Sequence, residues 1–231
     1  MIGIICAMQI EADGIIELCS NTVTQTHAKM EFTLGNLHGR EVAVVVCGAG
    51  KVNAAMCALL MAEKYNPELI LNSGVAGSLS PMAGIGDIVV ATKAVEHDMN
   101  TTALGDKQGE VSFPDGSIVY FECDKKASTL LASVCRKIPQ TKTVQGIIAS
   151  GDIFVSDRKA RLKINDRFGA IACEMEGGAI GHVCVRCGVP YAIIRAISDD
   201  LDENKGMDFV KFCKLASKKT VTAVSEFVKA W

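Results

Sequence analysis

The sequence predicts an α/β fold in a single domain, with a mixed central sheet flanked by helices. Short apolar runs rich in β-branched residues alternate with longer helical patterns along most of the 231 residues, and this alternation is typical of α/β proteins. The composition agrees, because 49% of the residues are hydrophobic and 5% are aromatic, as expected for buried strands and closely packed helices. No linker-like segment divides the chain, so we expect one domain over residues 1–231.

Eight apolar segments have the length and composition of buried strands. The first begins with Ile-Gly-Ile-Ile-Cys, and the third contains three consecutive valines. The predicted strands cover residues 2–7, 30–37, 41–47, 68–73, 86–96, 143–149, 170–175 and 190–197.

Six further segments have helical patterns. The second of them is rich in small residues, so we expect it to pack flat on the sheet, and the last has the amphipathic period of a surface helix. The predicted helices cover residues 10–19, 51–65, 124–137, 157–167, 176–187 and 207–229. Residues 101–124 contain several glycines and a proline and are predicted to form a long surface excursion, which is usually a lid or a contact surface.

Charge and composition exclude several classes of protein. The formal net charge is −2 and the basic residues are dispersed, so neither a nucleic-acid partner nor a membrane partner is expected. The apolar N-terminus lacks a basic leader and predicts a first strand rather than a signal peptide, and no apolar run approaches the roughly 20 residues that span a bilayer. Ten cysteines scattered through apolar stretches are typical of a reducing cytosol, so we expect a cytoplasmic protein.

One cysteine pair resembles half of a metal or redox motif. Cys184 and Cys187 are separated by two residues, and His182 is nearby. A structural zinc site would need a second pair, which is missing, and a redox pair should begin a helix rather than lie well inside one. We therefore interpret the pair as helix core and expect neither a metal nor another cofactor.

Polar residues at the ends of buried strands indicate the functional site. One predicted strand ends in Glu174 and Glu176, another in Arg195, Ser198 and Asp199, and the first is followed by Glu11. Charged groups at such positions must be paired or lie in a cleft, because an unpaired buried charge is costly. Ligands bind at the carboxyl ends of strands in open parallel sheets. The pattern predicts acid/base chemistry on a polar ligand that is uncharged or cationic.

Three glycine clusters, at 48–51, 74–78 and 84–87, are each predicted to follow a strand. The first ends in Gly-Lys, but a P-loop would need a glycine at Val45 and a Ser or Thr at Val52, and a dinucleotide fingerprint would need Gly or Ala at Asn53. Glycines at such turns allow a ligand to approach the backbone closely. The clusters therefore favour a ligand site, with Val75, Ala76 and Gly77 among its expected contacts.

Several short motifs, in this order and with this spacing, resemble the nucleoside phosphorylase/nucleosidase superfamily, and within it the 5′-methylthioadenosine/S-adenosylhomocysteine nucleosidases. The resemblance extends from Ile2 to about Val228. Its motifs are GIICAM at residues 3–8 with Glu11, GAGKV at 48–52, NSGVAGS at 72–78, GDIVV at 86–90, HD at 97–98, SGDIF at 150–154, EMEG at 174–177 and RAISD at 195–199.

The resemblance implies a homodimeric hydrolase, without metal, that cleaves the bond between adenine and a 5′-thio-substituted ribose. Cleavage of an N-glycosidic bond needs an acid at the base, a group that activates water and hydrogen bonds to the sugar. Asp199, held by Ser198, would protonate or hydrogen-bond purine N7, and Glu11 would activate water. The remaining expected contacts are Glu176 with the ribose hydroxyls, Met175 with the sugar, Arg195 with the water and the carboxylates, Phe154, Phe209 and Val155 with the base and ribose, and Met8 as a wall. Glu174 is interpreted as a structural acid.

Charge favours a hydrolase over a phosphorylase. The glycine-rich segments offer no arginine for phosphate, and Glu11 would repel that anion. The sequence departs from the family pattern after His97, where Asn100 replaces an acid and Leu104 replaces an aromatic residue that reaches the neighbouring subunit's pocket. The preferred 5′ substituent is therefore left open, and hydrolysis of a related nucleoside such as aminofutalosine is the nearest alternative. A non-catalytic relative should lack some of the acids at Glu11, Glu176 and Asp199, and all three are present.

Overall fold

The computed structural model describes residues 1–199, 201 and 209–231, with the side chains of the last segment described from Cys213 onward. The strands are β1 (Ile2–Cys6), β2 (Ser20–His27), β3 (Met30–Leu37), β4 (Arg40–Val46), β5 (Leu69–Ser78), β6 (Ile88–Glu96), β7 (Val111–Phe113), β8 (Gly116–Ile118), β9 (Phe121–Glu122), β10 (Thr143–Ser150), β11 (Ala170–Glu174) and β12 (Tyr191–Asp199). The helices are α1 (Gln9–Ile16), α2 (Lys51–Tyr65), α3 (Lys125–Cys135), α4 (Arg158–Phe168), α5 (Gly177–Cys187) and α6 (Phe209–Ala230).

The central sheet is mixed, in the order β11-β10-β6-β12-β5-β1-β4-β3-β2, with β9 added beside β6. Strand β1 is parallel to both β4 and β5, and β5 is parallel to β12, whereas β12 is antiparallel to β6. The end of β5 also pairs with β11, in antiparallel orientation. This last pairing curls one half of the sheet and brings the ends of β5, β11 and β12 together.

Helices cover both faces of the sheet. The side chains of α2 and α5 pack with those of β1, β4 and β12 in one buried cluster, and those of α1, α3 and α6 pack with the opposite face in another. Close packing of α2 depends on Gly3, because a Cβ there would lie 2.8 Å from Cγ of Met61. The predicted α/β fold with a mixed sheet between helices is confirmed.

Three details of the predicted strands were wrong. Strand β2 was missed because it is polar and exposed, and it pairs with β3 at the edge of the sheet. Residues 74–78 were assigned to a turn but continue β5, because β12 and β11 pair with them. The glycines at 84 and 86 precede β6 rather than follow a strand.

The excursion at 101–124 contains a short 3₁₀ turn at Thr102–Leu104, the β7–β8 hairpin and β9.

The described residues contain no helix that is both long and apolar enough to cross a membrane. Cys184 is buried in the cluster that contains α2 and α5, and Cys187 ends α5. Within the described part of the chain, no group of three or more His, Cys, Asp or Glu side chains is arranged to hold a metal ion.

Candidate active site

A cavity of about 240 Å³ lies where β1, β5, β11 and β12 end. Its polar groups come from the residues that follow or complete these strands, and its apolar walls come from neighbouring loops. The cavity is lined by Ala7, Met8, Glu11, Ala49, Val75, Ala76, Gly77, Ile153, Phe154, Val155, Arg161, Cys173, Glu174, Met175, Glu176, Ser198 and Asp199.

Glu11, in the first turn of α1, is held at the cavity by three backbone N–H groups. Its Oε2 accepts hydrogen bonds from the N–H groups of Ala7 (3.0 Å) and Met8 (2.9 Å), and its Oε1 accepts one from Val75 (3.0 Å). Burial raises the pKa of the Glu11 carboxyl, and Arg195 and these hydrogen bonds oppose that shift. The three N–H groups fix the orientation of the carboxylate, which can then accept a proton at a defined place.

The backbone of β5 must lack a side chain where Glu11 lies. A Cβ at Gly74 would lie 2.7 Å from Oε1 of Glu11 and 2.8 Å from Nη1 of Arg195. A second glycine has the same function three residues further along, because a Cβ at Gly77 would lie 2.9 Å from Oδ2 of Asp199. Glycine at these two positions therefore lets two carboxylates lie against one strand.

Arg195 is fully buried behind the cavity and does not line it. Its Nη2 contacts Oε2 of Glu174 and donates to Oδ1 of Asn72 at 2.5 Å, and it lies 3.8 Å from Oε2 of Glu176. Burial would raise the pKa of Glu174, but Arg195 and Ser150 outweigh it and hold that pKa below its usual value. Glu174 is therefore the charge partner of Arg195, which agrees with its interpretation as a structural acid.

Glu176 faces the cavity at the start of α5. Its Oε1 accepts a hydrogen bond of 2.9 Å from the N–H of Gly50, in the loop after β4. Burial, and then the negative charge of Glu174, raise the pKa of Glu176 to about 7. The two acids that flank Met175 therefore have opposite pKa shifts. Arg195 contacts Glu174, whose pKa is lowered, and lies farther from Glu176, whose pKa is raised.

We expect Glu176→Gln to stabilise the fold at alkaline pH. A carboxyl whose pKa rises on folding, here from the usual 4.5 to about 7, contributes its full stability below the unfolded value and loses it as pH rises through the folded value. The amide resembles the protonated acid at every pH. Urea unfolding should give the variant on the order of 1–3 kcal/mol more stability than the parent at pH 8, with little difference at pH 4. Exposed Glu63→Gln is the control, and a less stable Glu176→Gln at pH 8 would contradict the assignment.

Asp199 ends β12 at the other end of the cavity floor. Its Oδ1 accepts a hydrogen bond of 2.7 Å from Oγ of Ser198, and its Oδ2 contacts Nη2 of Arg161. The Asp199 side chain is 23% exposed, whereas that of Arg161 is 5% exposed. Asp199 is thus the partner that a ligand in the cavity can reach.

The other predicted contacts are divided between the cavity and the surface. Met8, Val75, Ala76, Val155 and Met175 line the cavity. Phe154 also lines it and is 61% exposed. Leu104 does not line the cavity of its own chain and is 82% exposed. The Phe209 side chain lies outside the described residues.

Sequence reasoning missed Arg161. Helix α4 has the composition of a solvated helix, with four other basic residues at Arg158, Lys159, Lys163 and Arg167. A further arginine on such a helix is expected to be exposed. One signal was available: Arg161, Ile164 and Phe168 have the i, i+3, i+7 spacing of one helix face. Phe168 is buried on that face, and so is Arg161.

Comparison with known proteins agrees with this geometry. The profile of the phosphorylase superfamily matches residues 1–229. A 5′-methylthioadenosine/S-adenosylhomocysteine nucleosidase of Shewanella loihica is 36% identical, over 99% of this chain and 98% of the relative. The Neisseria meningitidis nucleosidase of that name, solved in complex with methylthio-immucillin-A, is 30% identical with a TM-score of 0.93, over 100% of this chain and 99% of the other.

A Helicobacter pylori nucleosidase is similar to the same extent. It is an aspartate-to-asparagine variant solved with 5′-methylthioadenosine in its active site, and it is 30% identical with a TM-score of 0.92, over 100% of this chain and 98% of the other. The chain therefore belongs to the phosphorylase superfamily and, within it, to the 5′-methylthioadenosine/S-adenosylhomocysteine nucleosidases.

Proposed function

We propose that this protein hydrolyses the N-glycosidic bond of 5′-methylthioadenosine and S-adenosylhomocysteine and releases adenine and the 5′-thio-substituted ribose. The observation that carries the proposal is the pair of carboxylates placed against Gly74 and Gly77 of β5. Three residues of strand correspond to about 10 Å, which is enough for a purine at Asp199 and a sugar with its attacking water at Glu11. Relatives that carry this name are similar over nearly their full length.

The proposed roles follow from the two ends of the cavity. Asp199, oriented by Ser198, donates a proton or a hydrogen bond to purine N7, because negative charge develops on the departing base. Glu11 accepts the proton of the attacking water. Glu176 accepts hydrogen bonds from the ribose hydroxyls, since a carboxylate oxygen pair can accept two at once.

Apolar groups complete the proposed nucleoside site. Met175 lies against the sugar, Met8 forms a wall of the cavity, and Phe154 and the Val155 backbone lie against adenine. Arg195 acts by balancing the charges of Glu11, Glu174 and Glu176, which its position behind the cavity supports. We assign it no contact with substrate.

Cleavage of 5′-methylthioadenosine should proceed in phosphate-free buffer and yield free adenine and methylthioribose. Among the described residues that line the cavity, Arg161 is the only arginine or lysine, and it pairs with Asp199 at the purine end. A phosphate beside C1′ would instead face Glu11. Chromatographic identification of the sugar product, with and without added phosphate, is the test. A requirement for phosphate with formation of a sugar 1-phosphate would refute hydrolysis.

We also propose that the protein is a homodimer. Val52, Met56 and Leu59 form an exposed apolar row on α2 at i, i+4 and i+7, and Val52 is 77% exposed. Leu104 provides a further exposed apolar side chain in the excursion between β6 and β7. Apolar rows of this kind mark protein interaction surfaces. In the proposed dimer, Leu104 completes the 5′-alkylthio pocket of the neighbouring subunit.

Leu104→Phe should tighten the binding of 5′-methylthioadenosine with little change for adenosine, which has no thio tail to bury. An aromatic ring would add apolar contact at the tail worth on the order of 1 kcal/mol, or about fivefold in KM. Leu18→Phe, at an exposed leucine after α1, is the matched control. An equal effect on both nucleosides, or a monomer in solution at micromolar concentration, would rule out the shared pocket.

We also propose that the protein is cytoplasmic. All ten cysteines are free thiols and eight of them are buried, as expected for small apolar side chains kept in a reducing compartment. Cell fractionation with an antibody against the protein would test the location.

A further inference from the structure

A buried guanidinium lies at the purine end of the cavity. Arg161 is 4% exposed, although arginine and lysine side chains elsewhere on α4 are exposed, as at Lys163 and Arg167. Removing a guanidinium from water costs several kcal/mol unless ion pairs and hydrogen bonds replace the lost solvation. The contacts of Arg161 therefore identify what the fold gains from burying it.

Each nitrogen of Arg161 contacts an oxygen at the purine end. Nη2 contacts Oδ2 of Asp199, Nε donates to the carbonyl of Val155 at 2.8 Å, and Nη1 donates to the carbonyl of Ser78 at 3.4 Å. The planar, rigid guanidinium fixes the relative positions of these three oxygens. It thereby joins the end of β12, the end of β5 and the loop before α4.

The surrounding backbone leaves room for this pair. A Cβ at Gly77 would lie 2.9 Å from Oδ2 of Asp199 and 3.4 Å from Nη2 of Arg161. The other Asp199 oxygen accepts a hydrogen bond from Ser198. Ser198 and Arg161 thus hold the two carboxylate oxygens from different sides, and the carboxylate cannot rotate without breaking one of these contacts.

We propose that Arg161 is a positioning residue for departure of the purine, acting through Asp199. This inference rests on the proposed nucleosidase function. The guanidinium holds Oδ2 of the Asp199 carboxyl in place while Ser198 holds Oδ1. Its fixed positive charge also lies behind the group that faces the departing purine, where negative charge develops as the glycosidic bond breaks. The effect of this charge is stronger in the transition state than in the bound substrate, so kcat should depend on Arg161 more than KM does.

A purely structural ion pair would behave differently from a positioning residue. If Arg161 only stabilised the fold, its replacement would change activity by the same factor whether or not residue 199 is an acid. If Arg161 acts through Asp199, most of its effect must disappear once the acid is gone. A double-mutant cycle between the two residues separates these cases.

The experiment measures adenine release from 5′-methylthioadenosine by the parent, Arg161→Met, Asp199→Asn and the double variant, with thermal unfolding of each. Arg161→Met is expected to lower kcat by about 10- to 100-fold and to change KM by less than about threefold. In the Asp199→Asn background, the same replacement should lower kcat by less than about twofold. Arg167→Met, at an exposed arginine on the same helix, is the matched control and should retain parental kinetics.

Equal factors in the two backgrounds, or parental kcat in Arg161→Met, would overturn the proposal. If Arg161→Met does not fold, Arg161→Lys and Arg161→Gln decide the matter. Lysine keeps the charge and should retain more kcat than glutamine, which keeps only a neutral donor, and equal losses would overturn the proposal. Adenine release by the parent enzyme tests the proposed function separately, so its failure is distinguishable from a failure of the Arg161 role.

Discussion

Replacing Asp199 with asparagine should lower kcat for 5′-methylthioadenosine by about 10²–10⁴-fold, the range of general acid catalysis. The structure explains why the replacement should remove little else. The amide oxygen can accept from Arg161, and the amide N–H can donate to Oγ of Ser198, whose hydroxyl also accepts. Both contacts of the parent side chain therefore have an equivalent in the variant. The amide has no acidic proton to give to purine N7, so only the acid function is lost.

Two comparisons make this test specific. Asp166→Asn changes an exposed aspartate on α4 and should leave kcat unchanged. An aryl 5-methylthioriboside with an activated phenol as leaving group needs no proton at departure, so the loss caused by Asp199→Asn should shrink strongly with that substrate. A loss of equal size with both substrates would mean that Asp199 has a structural role only.

The acids of the site could be predicted because a charged residue at the end of a buried strand must be paired or lie in a cleft. Glu11, Glu176 and Asp199 follow or end apolar strands, and the structure brings all three to one cavity. The sequence analysis also distinguished Glu174, interpreted as a structural acid, from Glu176, predicted to contact the ribose. Their different environments depend on Arg195, which contacts one and lies 3.8 Å from the other. That distance depends on the pairing of β12 with β5 and could not be obtained from spacing along the chain.

Features that depend on long-range contacts were missed. Strand β2 is exposed along its length, so it has no alternation of apolar and polar residues, and only pairing with β3 defines it. The continuation of β5 through Gly74 and Gly77 is stabilised by the parallel pairing with β12 and, at its end, by the antiparallel pairing with β11. A glycine-rich segment after an apolar run predicts a turn from local preferences, and tertiary pairing overrides those preferences.

Arg161 shows the same limitation for a side chain. Helix α4 carries four other basic residues, so its composition indicates a solvated helix. The residue is buried because Asp199, Val155 and Ser78 supply oxygens from three other segments. Its spacing with Phe168 places Arg161 on the buried face of α4 but identifies none of these oxygens, which lie up to 83 residues away along the chain.

The second large effect is expected at the water side of the cavity. Glu11→Gln should lower kcat by about 10²–10⁴-fold, because an amide cannot accept the proton of the attacking water. Its shape is similar, but its hydrogen bonding is not. The parent carboxylate accepts from the N–H groups of Met8 and Ala7 on one side and of Val75 on the other. A glutamine oxygen can satisfy one side, and its NH₂ group then faces a backbone donor on the other, at a cost of about 1–3 kcal/mol.

The pH dependence of kcat separates the lost base from this structural cost. Burial raises the pKa of the Glu11 carboxyl, and only its ionised form can accept a proton, so kcat of the parent should fall as pH decreases through that raised value. Glu176, with a pKa of about 7, titrates in the same cavity, so the comparison is made in the Glu176→Gln background. A glutamine at position 11 does not titrate, so adding Glu11→Gln there should remove this acid limb while circular dichroism remains that of the folded protein. Glu17→Gln, at an exposed glutamate just after α1, should keep the parental profile. Retention of the acid limb when Glu11→Gln is added to Glu176→Gln, or near-parental turnover by Glu11→Gln alone, would exclude Glu11 as the base and leave it only its hydrogen bonds to the backbone of β5 and of the loop after β1.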